Sequence, residues 1–121
     1  MKPHLRATHE PPKLSEAAVR MLSILRTHCQ GRARAMLAAD IEAQFEISDR
    51  QQQRLIHELR RCGHIIVGGC GEVKGYWLAE TLAEKMEAYA GFVSRTRDME
   101  ETMRMMRLNN PEIAQLQLTA Q

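Results

Sequence analysis

The hydrophobic period of this chain changes at Gly63, and that change restricts the folds open to it. Before Gly63, apolar residues recur at steps of three and four, the spacing of one helix face. After it, His64 to Val67 is short and rich in β-branched side chains. Gly68-Gly69-Cys70-Gly71 is too glycine-rich for a regular strand or helix, and Gly75 to Leu78 returns with Tyr76 and Trp77. The pattern predicts a β-hairpin with a glycine-rich tip, set after a group of helices.

Three helices are predicted upstream. Ser15 is a plausible N-cap, followed by Ala18, Val19, Leu22 and Leu25 at helical spacing. This helix runs to about Thr27, with Gly31 at or just past its end. A second covers about Ala35 to Phe45, with Leu37, Ile41 and Phe45 on one stripe. Ser48 and Gln51 then form the S-x-x-Q pattern of a capping box, in which each side chain satisfies an orphan backbone N–H. Asp49 suits the positive end of the helix dipole. The third helix runs to about Cys62 with an inner stripe of Gln52, Leu55, Ile56 and Leu59, and Gly63 supplies a left-handed stop.

Downstream of the hairpin, Thr81 and Glu84 form another capping box and open a long helix to about Leu108. Its apolar positions are Met86, Tyr89, Val93 and Thr96, then Met99, Met103 and Met106, a heptad-like stripe with one skip. Asn109-Asn110-Pro111 ends it. The expected fold class is mainly α with a small β-hairpin. The expected organisation is a flexible arm over 1–13, marked by Pro3, Pro11 and Pro12, a domain over 14–80, the long helix over 81–108, and a flexible tail over 109–121.

Formal net charge is only +2 over 121 residues, so the distribution of charge says more than the total. No acid lies between Glu16 and Asp40, where Arg20, Arg26, Arg32 and Arg34 fall. A second basic group is Arg50, Arg54, Arg60 and Arg61, interleaved with His57 and His64. Local basic clusters in a near-neutral chain point to a face that meets a polyanion. Three cysteines with no C-x-x-C fit a reducing, cytoplasmic setting better than a disulfide framework. No apolar run approaches a membrane span, and no signal-peptide pattern is expected.

Catalytic and metal chemistry find little support. Cys62, His64, Cys70 and the His28-Cys29 pair lack the spacing of any common zinc site, and no cofactor is implied. The Gly-Gly-Cys-Gly run leads into Glu72 rather than into a P-loop Lys and Ser/Thr, and no Ser/His/Asp or HExxH spacing occurs. An enzyme is not expected. Scarce aromatics argue against single-stranded nucleic acid or RNA as the main target.

What remains is geometric. A short third helix can enter a major groove about 12 Å wide, a second helix can brace it, and a hairpin tip can reach neighbouring backbone. The stretch ISDRQQQRLIHELRRCGHIIV followed by KGYWLAET resembles the recognition helix and wing of bacterial and phage (prophage) winged helix-turn-helix proteins, over about residues 37–80. The resemblance implies double-stranded DNA binding, as a transcriptional regulator or a replication-linked origin binder. Three positions depart from the family pattern: Glu46 stands where the turn usually has glycine, Glu42 where the helices usually cross on alanine, and Gln52 where an apolar residue is usual. They predict a looser turn.

Arg50, Gln51, Gln53, Arg54 and His57 avoid the inner stripe and are the expected base or phosphate contacts. Arg donates bidentately to guanine, and Gln pairs with adenine. Arg60 and Arg61 can meet phosphates or simply complement the helix dipole, with Arg61 the stronger candidate. Lys74 supplies charge at the hairpin, and Arg32 and Arg34 lie before the second helix, whose N-terminus can hold a phosphate. Met86, Tyr89, Val93, Met99, Met103 and Met106 are the expected homodimer contacts. The competing expectation is a winged-helix protein–protein module, a phage-type adaptor or inhibitor, that binds no DNA.

Overall fold

In the computed structural model, residues 13–68, 74–113 and 115 are described. The first helix, α1 (Glu16–His28), starts where Ser15 Oγ accepts the Ala18 N–H at 3.2 Å, and it ends with the Cys29 N–H on the Leu25 carbonyl. Ala18, Met21, Leu22, Ile24 and Leu25 face inward. Val19 lies on the opposite side and is 54% exposed, so the expected stripe gains Met21 and Ile24 and loses Val19.

A 3₁₀ turn over Arg32–Arg34 follows, and α2 spans Ala38–Phe45. The helix begins later than the expected Ala35 because the hairpin claims the residues before it. The Met36 N–H and carbonyl both pair with Tyr76, at 3.0 and 2.7 Å, which keeps the chain extended up to the N-cap Leu37. Leu37 is 49% exposed, while Ile41 is fully buried and carries the packing of this short helix.

Ser48 and Gln51 close the capping box in both directions, at 3.2 and 3.0 Å, and launch α3 (Asp49–Arg61). Its inner residues Gln52, Leu55, Ile56 and Leu59 are all buried. The helix ends with the His64 N–H on the Leu59 carbonyl and the Gly63 N–H on that of Arg60, with Gly63 at φ +98°. This is the double-bonded termination that a left-handed glycine permits.

Strands β1 (Ile66–Gly68) and β2 (Tyr76–Leu78) pair antiparallel, Ile66 opposite Leu78 and Gly68 opposite Tyr76. The glycine run at 69–71 falls outside the described residues. On its other edge β2 bonds the segment before α2: Gly31 donates to the Leu78 carbonyl, Leu78 donates to that of Cys29, and Met36 bridges Tyr76. The strand therefore leaves little unpaired edge. The core gathers Met21, Leu25, Cys29, Ile41, Ile56, Leu59 and Ile66 between α1, α2, α3 and the hairpin.

The chain divides into two compact units, 1–88 and 89–121. The long helix α4 spans Leu82–Asn109. At its start Thr81 Oγ1 accepts the Glu84 N–H at 3.1 Å, and the Glu84 carboxylate turns back toward the Thr81 N–H. It also accepts from the N–H groups of Glu80 at 2.9 Å and Arg32 at 3.3 Å, fastening α4 to the 3₁₀ turn. In the second unit α4 buries no side chain, and Met99, Met103, Met105 and Met106 are all exposed. No helix among the described residues is long and apolar enough to cross a membrane.

Candidate nucleic-acid interface

Arg50, Arg54, His57 and Arg61 are all exposed and follow one another on α3 at steps of four, three and four. At about 100° per residue this spacing aligns them in a single stripe, opposite the buried Gln52, Leu55, Ile56 and Leu59. None of the four makes a hydrogen bond or ion pair among the described residues. The helix is held from behind by its buried face while these outward side chains are uncommitted.

The two acids of α3 are committed. Glu58 accepts from the Ser15 N–H at 2.8 Å and the Ser15 hydroxyl at 3.0 Å, so its carboxylate anchors the start of α1. Asp49 lies in the first turn of the helix, beside the dipole, and accepts from Gln53 Nε2 at 3.3 Å. The Ser15 anchor also brings Lys13 into a concavity with Arg54, His57 and Arg61. By sequence Lys13 belongs to the arm. Its signal was its place two residues before the cap.

The other predicted site residues divide. Gln51 is exposed, but its Oε1 is spent in the capping box. Gln53 is exposed and donates to Asp49. Lys74 is exposed beside the hairpin, just before Gly75. Arg32 and Arg34 stand in the 3₁₀ turn that precedes α2, and both have structural partners. Arg32 pairs with Glu87 at 3.0 Å and lies over the Trp77 ring at 5.5 Å. Arg34 donates to the Thr27 carbonyl at 3.2 Å. Arg20, from the same basic stretch, donates to the Phe45 carbonyl at 2.8 Å. Three of the four arginines between Glu16 and Asp40 thus close helix ends or join elements.

Arg60 has a larger part than expected. Its Nε donates to the Ile66 carbonyl at 2.9 Å, linking α3 to β1. With Leu37, Ala38, Gly68, Gly75 and Tyr76 it lines an open concavity between the hairpin and the start of α2. Leu37 offers no side-chain cap, so orphan N–H groups of α2 open near it. Burial raises the Tyr76 phenol above its ordinary value, reinforced by Asp49 and opposed by Arg60. Burial likewise raises the Cys29 thiol, against the lowering effect of Arg34, which makes this thiol a poor nucleophile. Among the described residues no group of three His, Cys, Asp or Glu side chains is placed to hold a metal ion.

Comparison with protein-family models, curated proteins and solved structures returned no match to this chain.

Proposed function

We propose that this protein binds double-stranded DNA as a winged helix-turn-helix of the bacterial and phage type. In this reading α2 and α3 form the helix-turn-helix, α3 enters the major groove, and the β1–β2 hairpin is the wing. The observation that carries it is the stripe Arg50, Arg54, His57 and Arg61, uncommitted and opposite the core, with Glu58 withdrawn to Ser15. A solvated helix face usually intersperses both signs. Here the outward line is three arginines and a histidine with no acid among them, which suits a polyanion. The resulting activity is that of a sequence-preferring regulator or replication-linked origin binder, working as a homodimer on two half-sites.

Selection of bound sequences from a random duplex library, followed by titration of the winner at several salt concentrations, tests this. The expected result is an enriched, two-fold-related site whose affinity falls steeply with salt. Absence of binding at micromolar protein and low salt would overturn it.

The exposed methionines of α4 favour one other reading, a module that binds a different protein. A stoichiometric protein partner combined with no duplex affinity would replace the DNA reading with that one.

A further inference from the structure

We propose that residues 89–106 of α4 pair with the same segment of a second copy as a parallel, two-stranded coiled coil with Arg95 facing Glu100 of the partner subunit. The proposal deepens the homodimer of the preceding reading by giving it a register and an orientation.

The register comes from the side chains that share one face. Phe92, Arg95, Thr96, Met99, Glu100 and Met103 line a single shallow groove along the helix. Two coiled-coil holes have this composition. Phe92, Arg95, Thr96 and Met99 surround one, and Thr96, Met99, Glu100 and Met103 surround the next. Taking Phe92, Met99 and Met106 as d positions makes Tyr89, Thr96 and Met103 a positions, with no skip. The skip in the simpler stripe disappears once Phe92 joins the seam and Met86 and Val93 move to its flank. Upstream the seam ends because Lys85 falls at the next d position.

The seam side chains suit this use. Tyr89, Met99, Met103 and Met106 are 64%, 60%, 42% and 54% exposed, a continuous apolar line on a charged helix. Thr96 returns its hydroxyl to the Phe92 carbonyl at 2.9 Å, which leaves its methyl for the seam.

Charge selects the second copy and its direction. In this register Arg95 is a g position and Glu100 the following e position, five residues on. In a parallel pair those two positions face each other across the seam, twice by symmetry. Arg95 now lies over its own Phe92 ring at 4.7 Å, and Glu100 has no ion pair among the described residues. The ion pair of this region, Arg104 with Glu101 at 2.8 Å, falls at the outer b and f positions. The groove is therefore flanked by one cation and one anion at the spacing that complements itself.

Sedimentation of the full-length protein without DNA tests the proposal. Wild type is expected to dimerise with micromolar affinity. Arg95→Glu and Glu100→Arg should each weaken the dimer about tenfold, and the two together should restore it. Met103→Asp should abolish association, whereas Met105→Asp, equally exposed but at an outer position, should not. With Cys62 and Cys70 replaced by Ser, Met99→Cys, Met103→Cys and Met106→Cys should each cross-link to the same residue of the partner. Antiparallel helices pair a with d and cannot give that set. A monomer up to near-millimolar concentration, a double charge reversal that fails to restore the dimer, or loss of association in Met105→Asp alone would each overturn the proposal. A dimer of this register that binds no duplex would overturn the DNA reading alone, and a monomer that binds duplex would overturn this one alone.

Discussion

Gln52 Nε2 donates to the Ile47 carbonyl at 2.8 Å and, from the same nitrogen, to the Ala38 carbonyl at 3.0 Å. One fully buried amide thus ties the inner face of α3 to the turn before it and to the first turn of α2. An apolar residue here would fill the space but leave the Ile47 carbonyl buried without this donor. The departure that predicted a looser turn is the residue that holds the turn. Gln52 Oε1 has no partner, so the arrangement carries a cost that the two donated bonds offset.

Gln52→Leu is therefore expected to destabilise the protein by about 2 kcal/mol although it adds apolar surface, because the buried Ile47 bond and the part-buried Ala38 bond both lose their donor. Urea denaturation of the two proteins checks this. An unchanged or increased midpoint would show that the amide is replaceable filler.

Glu46 ends α2 at φ 58°, ψ 40°, with its N–H on the Glu42 carbonyl. This left-handed geometry costs a side chain with a Cβ about 1–2 kcal/mol, which glycine avoids at the expense of a more flexible unfolded chain. Glu46→Gly should raise the thermal midpoint slightly, and Glu46→Val should lower it. The opposite order would mean that the Glu46 side chain matters more than its backbone.

Gly75 combines φ +98° with close approach: a Cβ placed there would clash with the Met36 carbonyl. Gly75→Ala should cost more than about 2 kcal/mol, since backbone strain and a backbone clash add. Amide exchange at Met36 and Tyr76 should accelerate most, because their bridge must part. Uniform acceleration across the domain would argue against so local a cause.

Arg54→Ala, with Arg50→Ala added, is expected to weaken duplex binding by about 1–3 kcal/mol per residue and to flatten its salt dependence. Arg34→Ala should lower stability and leave intrinsic DNA affinity near wild type, since Arg34 serves the end of α1. Fluorescence anisotropy at two salt concentrations, alongside thermal melts, separates the two outcomes.

Acid should destabilise the fold in two stages. His64 has its pKa lowered, first by burial and then by Arg26, so the unfolded chain takes up the proton more readily. Stability present above the ordinary His value near 6.5 is lost as pH falls through the lower folded value. Glu84 is also lowered, chiefly by the Glu80 N–H and further by those of Arg32 and Thr81. Its contribution persists above the ordinary value of 4.5 and disappears as pH falls through the folded one. Thermal melts across pH should lose the upper stage in His64→Gln and the lower stage in Glu84→Gln. A variant whose profile superimposes on wild type would remove that residue from the account.

Features that depend on neighbours along the chain were legible in the sequence. The caps at Ser15 and Ser48, the stop at Gly63, the stripe of Leu55, Ile56 and Leu59, and the change to a hairpin all rest on interactions within a few residues. The outward position of Arg50, Arg54, His57 and Arg61 follows from the same helical period. What charged and polar side chains do with distant partners was not legible. Arg20, Arg32 and Arg34 look like a basic patch in sequence, yet they bind Phe45, Glu87 and Thr27, because carbonyls at helix ends and a carboxylate on α4 compete for them. Glu58 looks like a charge that dilutes the α3 face until Ser15, 43 residues away, takes it up. Local propensity determined where the helices and hairpin lie. Only the tertiary structure, by bringing remote donors and acceptors within 3 Å or so, decided which cations remain free to meet a partner.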